Sequence, residues 1–219
     1  MFNFRLFNVP IRVEWYFWLM ACVLYGFGNV VPAELLVWVA CVFVSIVAHE
    51  MGHALAARRF GLSPFVVLYG MGGLTYSPGA ERLGRGQRIA LTLAGPAAGF
   101  VLAALVFGIA QLWITRSTPP LLFLTVRTLL YINIVWTLLN LLPIPPLDGG
   151  QVLASALGPR RVTVTRIIGG SVAVGCCLTA LLTRQLFFAF FFGLFAYENL
   201  KPLRSGTLPM SQGDPAPRP

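Results

Sequence analysis

Long stretches without charge dominate the chain. The five longest lie at 15–33, 35–57, 89–115, 121–142 and 167–200. None of them holds more than two charged side chains, counting the histidines as neutral. A helix of about 20 apolar residues crosses the roughly 30 Å of hydrocarbon in a bilayer. The runs therefore predict an integral membrane protein.

The composition excludes a soluble globule. Only 11% of the residues are charged, whereas about 25% is usual in a soluble domain. Hydrophobic residues make up 57% of the chain, and the mean hydropathy is +0.78. A chain of 219 residues with this composition lacks the polar surface that a water-soluble fold needs.

The last apolar run is too long for one crossing. As a single helix, 167–200 would extend about 51 Å, well beyond the hydrocarbon core. We divide it at 183–185. The six predicted spans are then 15–33, 35–57, 89–115, 121–142, 167–183 and 186–199. The predicted fold class is an all-α polytopic membrane protein with about six transmembrane helices, and five spans is the competing count.

The basic residues indicate the orientation in the membrane. With six spans, thirteen of the 16 Lys and Arg residues fall on one side, whereas only Arg116 and Arg184 fall on the other. Short cytoplasmic loops collect Lys and Arg, so both termini are predicted to be cytoplasmic. The net charge of +9 is explained by a basic rim that faces anionic lipid head groups, and it requires no nucleic acid.

The second span carries a metal-binding pattern. The two histidines of the chain, His49 and His53, are four residues apart, and Glu50 follows the first. On a helix both imidazoles project from one face and can bind one Zn²⁺, while the glutamate serves as a general base for the bound water. The alternative is a polar contact between helices without metal. Burying an unpaired glutamate in a membrane is costly, which favours the metal site.

The third ligand is predicted to be a carboxylate, because the chain has no third histidine. Asp148 lies just past the cytoplasmic end of the span 121–142, on the side where His49 and His53 lie. Other carboxylates are placed on the opposite side, at interfacial ends beside aromatic residues, or in the tail: Glu34, Glu14, Glu198 and Asp214. Asp148 is therefore the best candidate.

The segment before Asp148 is typical of a buried catalytic site. Pro143 ends the helix, and Pro145 and Pro146 keep the chain extended until glycines let it turn. Non-helical backbone at membrane depth is tolerated only where protein or a water-filled cavity surrounds it.

Three motifs together resemble the site-2 protease family of intramembrane zinc metalloproteases. They are His49-Glu50-x-x-His53, Gly95-Pro-Ala-Ala-Gly99, and the segment from Asn140-x-x-Pro143 to Leu147-Asp148-Gly149. The resemblance implies cleavage of transmembrane substrates in or near the bilayer, with His49, His53 and Asp148 binding zinc and Glu50 acting as base. It also implies that Asn140 assists substrate or oxyanion binding, and the alternative is an amide that only packs between helices.

The apolar spans and the composition of the C-terminal end predict the domain organisation. Residues 1–200 would form one transmembrane metalloprotease core, and 201–219 a disordered cytoplasmic tail. We expect a minimal form without an appended peptide-binding or nucleotide-sensing domain. Substrate selection and regulation would then depend on loops or on a regulatory membrane partner. The expected location is a prokaryotic cell membrane.

A short β-hairpin is predicted after the second span. Residues 65–69 and 74–76 have strand character and flank a glycine-rich turn. A substrate helix must unwind before it can be cut, because its carbonyls are bonded within the helix. An open strand edge could hold the unwound segment. The predicted substrate-binding residues are Phe65, Val67, Tyr69, Gly72 and Gly73, and the alternative is a purely structural hairpin.

Other functions, and another metal, fit parts of the pattern. A proteolytically inactive scaffold or a transporter could retain a metal-binding core. A soluble-domain metalloprotease anchored by helices is disfavoured, because 42–48 offers only Ser45 as a polar residue. Iron is conceivable, but two histidines and a carboxylate beside a hydrolytic glutamate favour zinc.

Overall fold

A computed structural model describes residues 1–26, 30–115 and 117–201. The helices are α1 (Trp15–Tyr25), α2 (Pro32–Arg59), α3 (Arg85–Trp113), α4 (Pro120–Asn140), α5 (Asp148–Leu157), α6 (Val162–Leu182) and α7 (Leu186–Leu200). The strands are β1 (Phe2–Leu6), β2 (Val9–Val13), β3 (Phe65–Tyr69) and β4 (Gly72–Tyr76). Short 3₁₀ turns lie at Ala80–Arg82 and Pro159–Arg161. The predicted tail, apart from Lys201, lies outside the described residues.

Among the residues that the structure describes, four helices are long and apolar enough to cross a membrane. They are α2, α3, α4 and the segment Pro159–Leu182, which contains α6. Large apolar side chains on their outer faces are exposed, as on α3 at Leu105 and Ile109. Such faces suit lipid rather than water. The chain is therefore an integral membrane protein, as the apolar runs predict.

The prediction of six spans is not confirmed, because α1 and α7 are short. The helix α1 has 11 residues and α7 has 15, so they extend only about 16 and 22 Å. The predicted span 15–33 is divided: α1 ends at Tyr25, residues 27–29 lie outside the described residues, and α2 begins at Pro32.

A four-stranded sheet replaces the predicted isolated hairpin. The β3–β4 hairpin is present as predicted, with Phe65 opposite Tyr76 and Tyr69 opposite Gly72. An N-terminal hairpin, β1–β2, adds to it through parallel pairing of β2 with β3, which gives the order β1-β2-β3-β4. The fold is thus mostly helical, as predicted, with a small sheet of four strands in place of the single hairpin.

The position of the sheet explains why α1 is short. Val13 pairs with Leu68, Leu68 pairs with Gly73, and Gly73 lies against Glu50 of α2. Because α1 begins two residues after Val13, it starts at the depth of Glu50 along α2. It ends beside the start of α2, where the Tyr25 hydroxyl donates to Glu34 at 3.3 Å. The helix α1 therefore runs alongside only the part of α2 that precedes Glu50, which is shorter than a full span.

The segment between α4 and α5 is buried against the α6–α7 pair. Ile144 is fully buried and packs in a cluster with Ala173 of α6 and with Phe192 and Ala196 of α7. The helix α5 begins directly at Asp148, where the sequence predicts only a glycine-assisted turn. This helix fixes the direction in which the Asp148 side chain leaves the backbone.

Candidate metal centre

His49 and His53 face each other from successive turns of α2. Their Nε2 atoms are 3.2 Å apart, and both side chains are buried. His53 Nδ1 donates to the Leu91 carbonyl of α3 at 3.0 Å. A proton on Nδ1 leaves the Nε2 lone pair free and directed at His49. Helix spacing thus brings the two imidazoles together, as the sequence predicts.

Asp148 completes a compact triad with the two histidines. Its Oδ2 atom is 3.0 Å from His49 Nε2 and 3.4 Å from His53 Nε2. Only 5% of Asp148 is exposed. Burial alone would raise the pKa of this carboxyl, but the adjacent His53 and His49 imidazoles outweigh burial and lower its pKa well below the ordinary value.

The three side chains fit a metal ion. Their ligand atoms all lie within 4.8 Å of one another. Tetrahedral Zn²⁺ with bonds of about 2.0–2.1 Å keeps its ligands roughly 3.3 Å apart, and the observed separations run from 3.0 to 3.4 Å. A free imidazole lone pair and a carboxylate that face each other in a buried site repel unless a cation or proton lies between them.

Glu50 is held by the sheet rather than by the triad. The Thr75 hydroxyl, fully buried on β4, donates to Glu50 Oε2 at 2.6 Å and lies 3.1 Å from the Glu50 carbonyl. Gly73, two residues earlier on the same face of β4, lies against the carboxylate, so that a Cβ there would come within 2.7 Å of Oε1. Thr75 is not among the site residues predicted from the sequence. Strand alternation from Gly73 is the signal that could have found it.

The small-residue motif in α3 touches the centre directly. A side chain at Gly95 would overlap the His53 imidazole, and one at Gly52 would overlap the Ala94 carbonyl of α3. These glycines let α2 and α3 approach closely. The His53–Gly95 contact is a further feature that the sequence analysis missed.

Asn140 is not joined to the triad by a hydrogen bond among the residues that the structure describes. It is the last residue of α4, and its amide donates to the Trp136 carbonyl of the same helix at 3.0 Å. A role for Asn140 in oxyanion binding would require the amide to leave this partner.

The predicted substrate-binding residues divide between two strands. Phe65, Val67 and Tyr69 lie on β3, whose two edges are occupied by β2 and β4. These three residues cannot receive a substrate strand by backbone pairing. Gly72 and Gly73 lie on β4, an edge of the sheet in the described part of the chain, and Gly73 lies against the Glu50 carboxylate.

Comparison with known proteins points in the same direction. Residues 115–182 match the model of Peptidase family M50. The chain is 30% identical to Rip2 of Mycolicibacterium smegmatis over 176 residues, which covers 66% of this chain and 67% of Rip2. It is 26% identical to Zinc metalloprotease MJ0392 of Methanocaldococcus jannaschii over 193 residues, 84% of this chain and 54% of that protein.

A solved structure shares the fold. The Site-2 Protease from Methanocaldococcus jannaschii superposes with a TM-score of 0.65 at 24% identity, covering 93% of this chain and 95% of that one. The chain spans about half the length of MJ0392 and 43% of Rip3 of Mycobacterium tuberculosis. The similarity to Rip2 extends over two thirds of both proteins and, with the family match, places this chain in peptidase family M50, the site-2 protease family of zinc metalloproteases.

Proposed function

We propose that the protein is an intramembrane zinc endopeptidase that hydrolyses peptide bonds in or near transmembrane segments of membrane-protein substrates. The observation that carries the proposal is the buried triad of His49, His53 and Asp148, whose ligand atoms have the spacing of a zinc site. Glu50 adjoins it on the same helix, inside an apolar segment. Family membership supports the same activity.

Each residue of the site has a distinct role in this proposal. His49, His53 and Asp148 would hold Zn²⁺, which would lower the pKa of water at the site and polarise the scissile carbonyl. Leu91 fixes the His53 tautomer through its carbonyl. Glu50 accepts the proton of the attacking water and passes it to the leaving amine.

Thr75 and Gly73 prepare Glu50 for that transfer. Because the Thr75 hydroxyl donates to Oε2, Oε1 is the carboxylate atom free to take the proton. The missing side chain of Gly73 leaves room beside Oε1. The Asn140 amide, at the end of α4, would stabilise the developing oxyanion after it exchanges the Trp136 carbonyl for substrate.

The free edge of β4 is the proposed site for an unwound substrate. An extended segment paired with Gly72 and Gly73 would pass beside the Glu50 carboxylate, and backbone pairing makes such binding tolerant of sequence. Phe65, Val67 and Tyr69 would contribute side-chain contacts only, from the face of the sheet that points away from Val66 and Leu68, which are buried.

The proposed location is a prokaryotic cell membrane, with both termini in the cytoplasm. The archaeal and bacterial relatives support the first part. The second part is supported by the basic residues, which gather on one side, and by Arg58 near the end of α2, which donates to the Phe7 carbonyl of the N-terminal hairpin. Residues 1–200 would form a single catalytic core, and a regulatory membrane partner would supply control.

Substituting Glu50 tests the proposed activity. Glu50→Gln should abolish cleavage of a co-expressed membrane substrate while purified protein keeps its zinc, because the ligands are unchanged. His49→Ala should lose both the cleavage activity and the bound zinc, because a ligand is removed. If Glu50→Gln cleaves as the wild type does, Glu50 is not the base. Ion or solute flux that survives this change would instead support a transporter.

A further inference from the structure

The segment that leads to Asp148 cannot fix its own position. Pro143, Pro145 and Pro146 have no N–H group to donate, so the stretch 141–147 makes few internal hydrogen bonds. Two are present, from Ile144 to the Leu142 carbonyl and from Leu147 to the Ile144 carbonyl, both at 2.7 Å. The position of the segment relative to α2, which carries the histidines, must be set by other elements.

Helix α6 lies directly against this segment. A Cβ at Gly169 would come within 2.6 Å of Pro145 Cδ and 3.1 Å of the Pro143 carbonyl. Glycine therefore lets the α6 backbone contact the proline segment without an intervening side chain. This contact limits how far the segment can move away from α5 toward α6.

Helix α7 supplies a specific hydrogen bond to the same segment. Asn199 is only 2% exposed, and its amide donates to the Pro145 carbonyl at 2.6 Å and to the Phe195 carbonyl of its own helix at 2.8 Å. Both N–H groups of the amide are thus used. The Pro145 carbonyl lies three residues before Asp148.

A buried arginine holds the end of α7 that carries Asn199. Arg166, in the first turns of α6, is 5% exposed, and its guanidinium donates to the carbonyls of Asn199, Glu198 and Lys201 at 2.8–2.9 Å. The last carbonyls of a helix have no intrahelical donor and carry the negative end of the helix dipole. No carboxylate among the described residues forms an ion pair with Arg166. The partial negative charges of these carbonyls therefore stabilise the buried guanidinium.

We propose that Arg166 and Asn199 form a clamp that positions Asp148 for metal binding. The guanidinium fixes the end of α7, the Asn199 amide fixes Pro145, and the short turn from Ile144 to Leu147 transmits that position to Asp148. Both are positioning residues, since neither contacts the triad. The inference rests on the proposed zinc site and adds the elements that hold its third ligand in place.

Zinc affinity of the purified protein in detergent tests the clamp. Asn199→Leu keeps the number of side-chain heavy atoms and removes the donor, and Arg166→Met keeps only the unbranched apolar stem and removes the guanidinium. Each should weaken zinc binding in competition with a chelator, at most by the roughly 10- to 100-fold that follows loss of a direct partner of a metal ligand. Thermal stability and monodispersity of each variant are measured in parallel.

Asn133→Leu is the matched control. Asn133 is also 2% exposed, and its amide donates to a carbonyl of its own helix, Leu129, and to Ser45 of α2, both at 2.8 Å. This variant should lose a comparable amount of thermal stability and keep wild-type zinc affinity. Wild-type affinity in Asn199→Leu, or an equal loss of affinity in Asn133→Leu, would overturn the clamp.

A milder variant decides the question if Asn199→Leu does not fold. Arg166→Lys keeps the charge, but a single ammonium cannot reproduce the spread of the guanidinium donors, so zinc affinity should still fall. An unchanged affinity would overturn the clamp alone. Failure of the metal site itself would differ: the wild type would bind no zinc, or His49→Ala would bind it as tightly as the wild type, and both proposals would then fall.

Discussion

Thr75 is the side chain that orients the Glu50 carboxylate. A hydrogen bond to an ionised acceptor contributes roughly 1.5–3 kcal/mol, so Thr75→Val, which has the same shape without the hydroxyl, should lower kcat about 10- to 100-fold. Zinc content should not change, because Thr75 touches no metal ligand. Steady-state cleavage of a membrane substrate in detergent or in vesicles measures the effect.

Thr75→Ser is the matched control for this prediction. It restores the donor at Oγ and should recover most of the wild-type kcat. If Thr75→Val and Thr75→Ser were equally slow, the methyl group rather than the hydroxyl would be responsible. If both were as fast as the wild type, Glu50 would not need this partner.

The residues of the centre differ in how well sequence reveals them. His49, Glu50 and His53 follow from helix spacing, and Asp148 follows from the side of the membrane on which its segment ends. Asn199 and Arg166 carry no local pattern. They act through carbonyls more than fifty and thirty residues away, respectively, and such partners are set by tertiary packing that no local window contains.

Close packing of α2 on α3 leads to a prediction at the scale of elements. Gly95→Ala would place a methyl group on the His53 imidazole. Overpacking of this kind costs about 1–3 kcal/mol, and relief would require His53 to turn away from its partners. Purified Gly95→Ala should therefore bind zinc more weakly and unfold at a lower temperature.

Gly108→Ala is the control on the same helix. A Cβ at Gly108 meets nothing within 4 Å, and alanine is the better helix former. This variant should match or exceed the wild type in zinc binding and thermal stability. Equal losses in both variants would mean that any alanine in α3 is harmful and that the His53 contact has no special weight.

The elements themselves were predictable where their patterns are local. The hairpin 65–76 follows from strand residues around glycines. The β1–β2 hairpin escapes prediction because its turn uses Phe7 and Asn8 at φ values of 48° and 61°, without the Asn-Gly or Asp-Gly signature. The start of α5 at Asp148 escapes prediction because Gly149 and Gly150 suggest a turn. In the structure their missing side chains admit the Leu141 and Ile144 carbonyls.

The orientation of the whole molecule can be tested with single cysteines. In a variant without the four native cysteines, Arg184→Cys should react with a membrane-impermeant maleimide in intact cells. Arg160→Cys should react only after permeabilisation, because basic loops stay in the cytoplasm. Both positions are exposed. The reverse pattern would place the termini outside the cytoplasm.

The length of α2 sets where a substrate would be severed. Glu50 lies about 27 Å along α2 from Pro32 but only about 14 Å from Arg59. A transmembrane segment cut at that level is divided into unequal pieces. In the proposed cleavage, the piece on the Arg59 side would keep the shorter apolar stretch and would leave the bilayer more readily than the longer remnant.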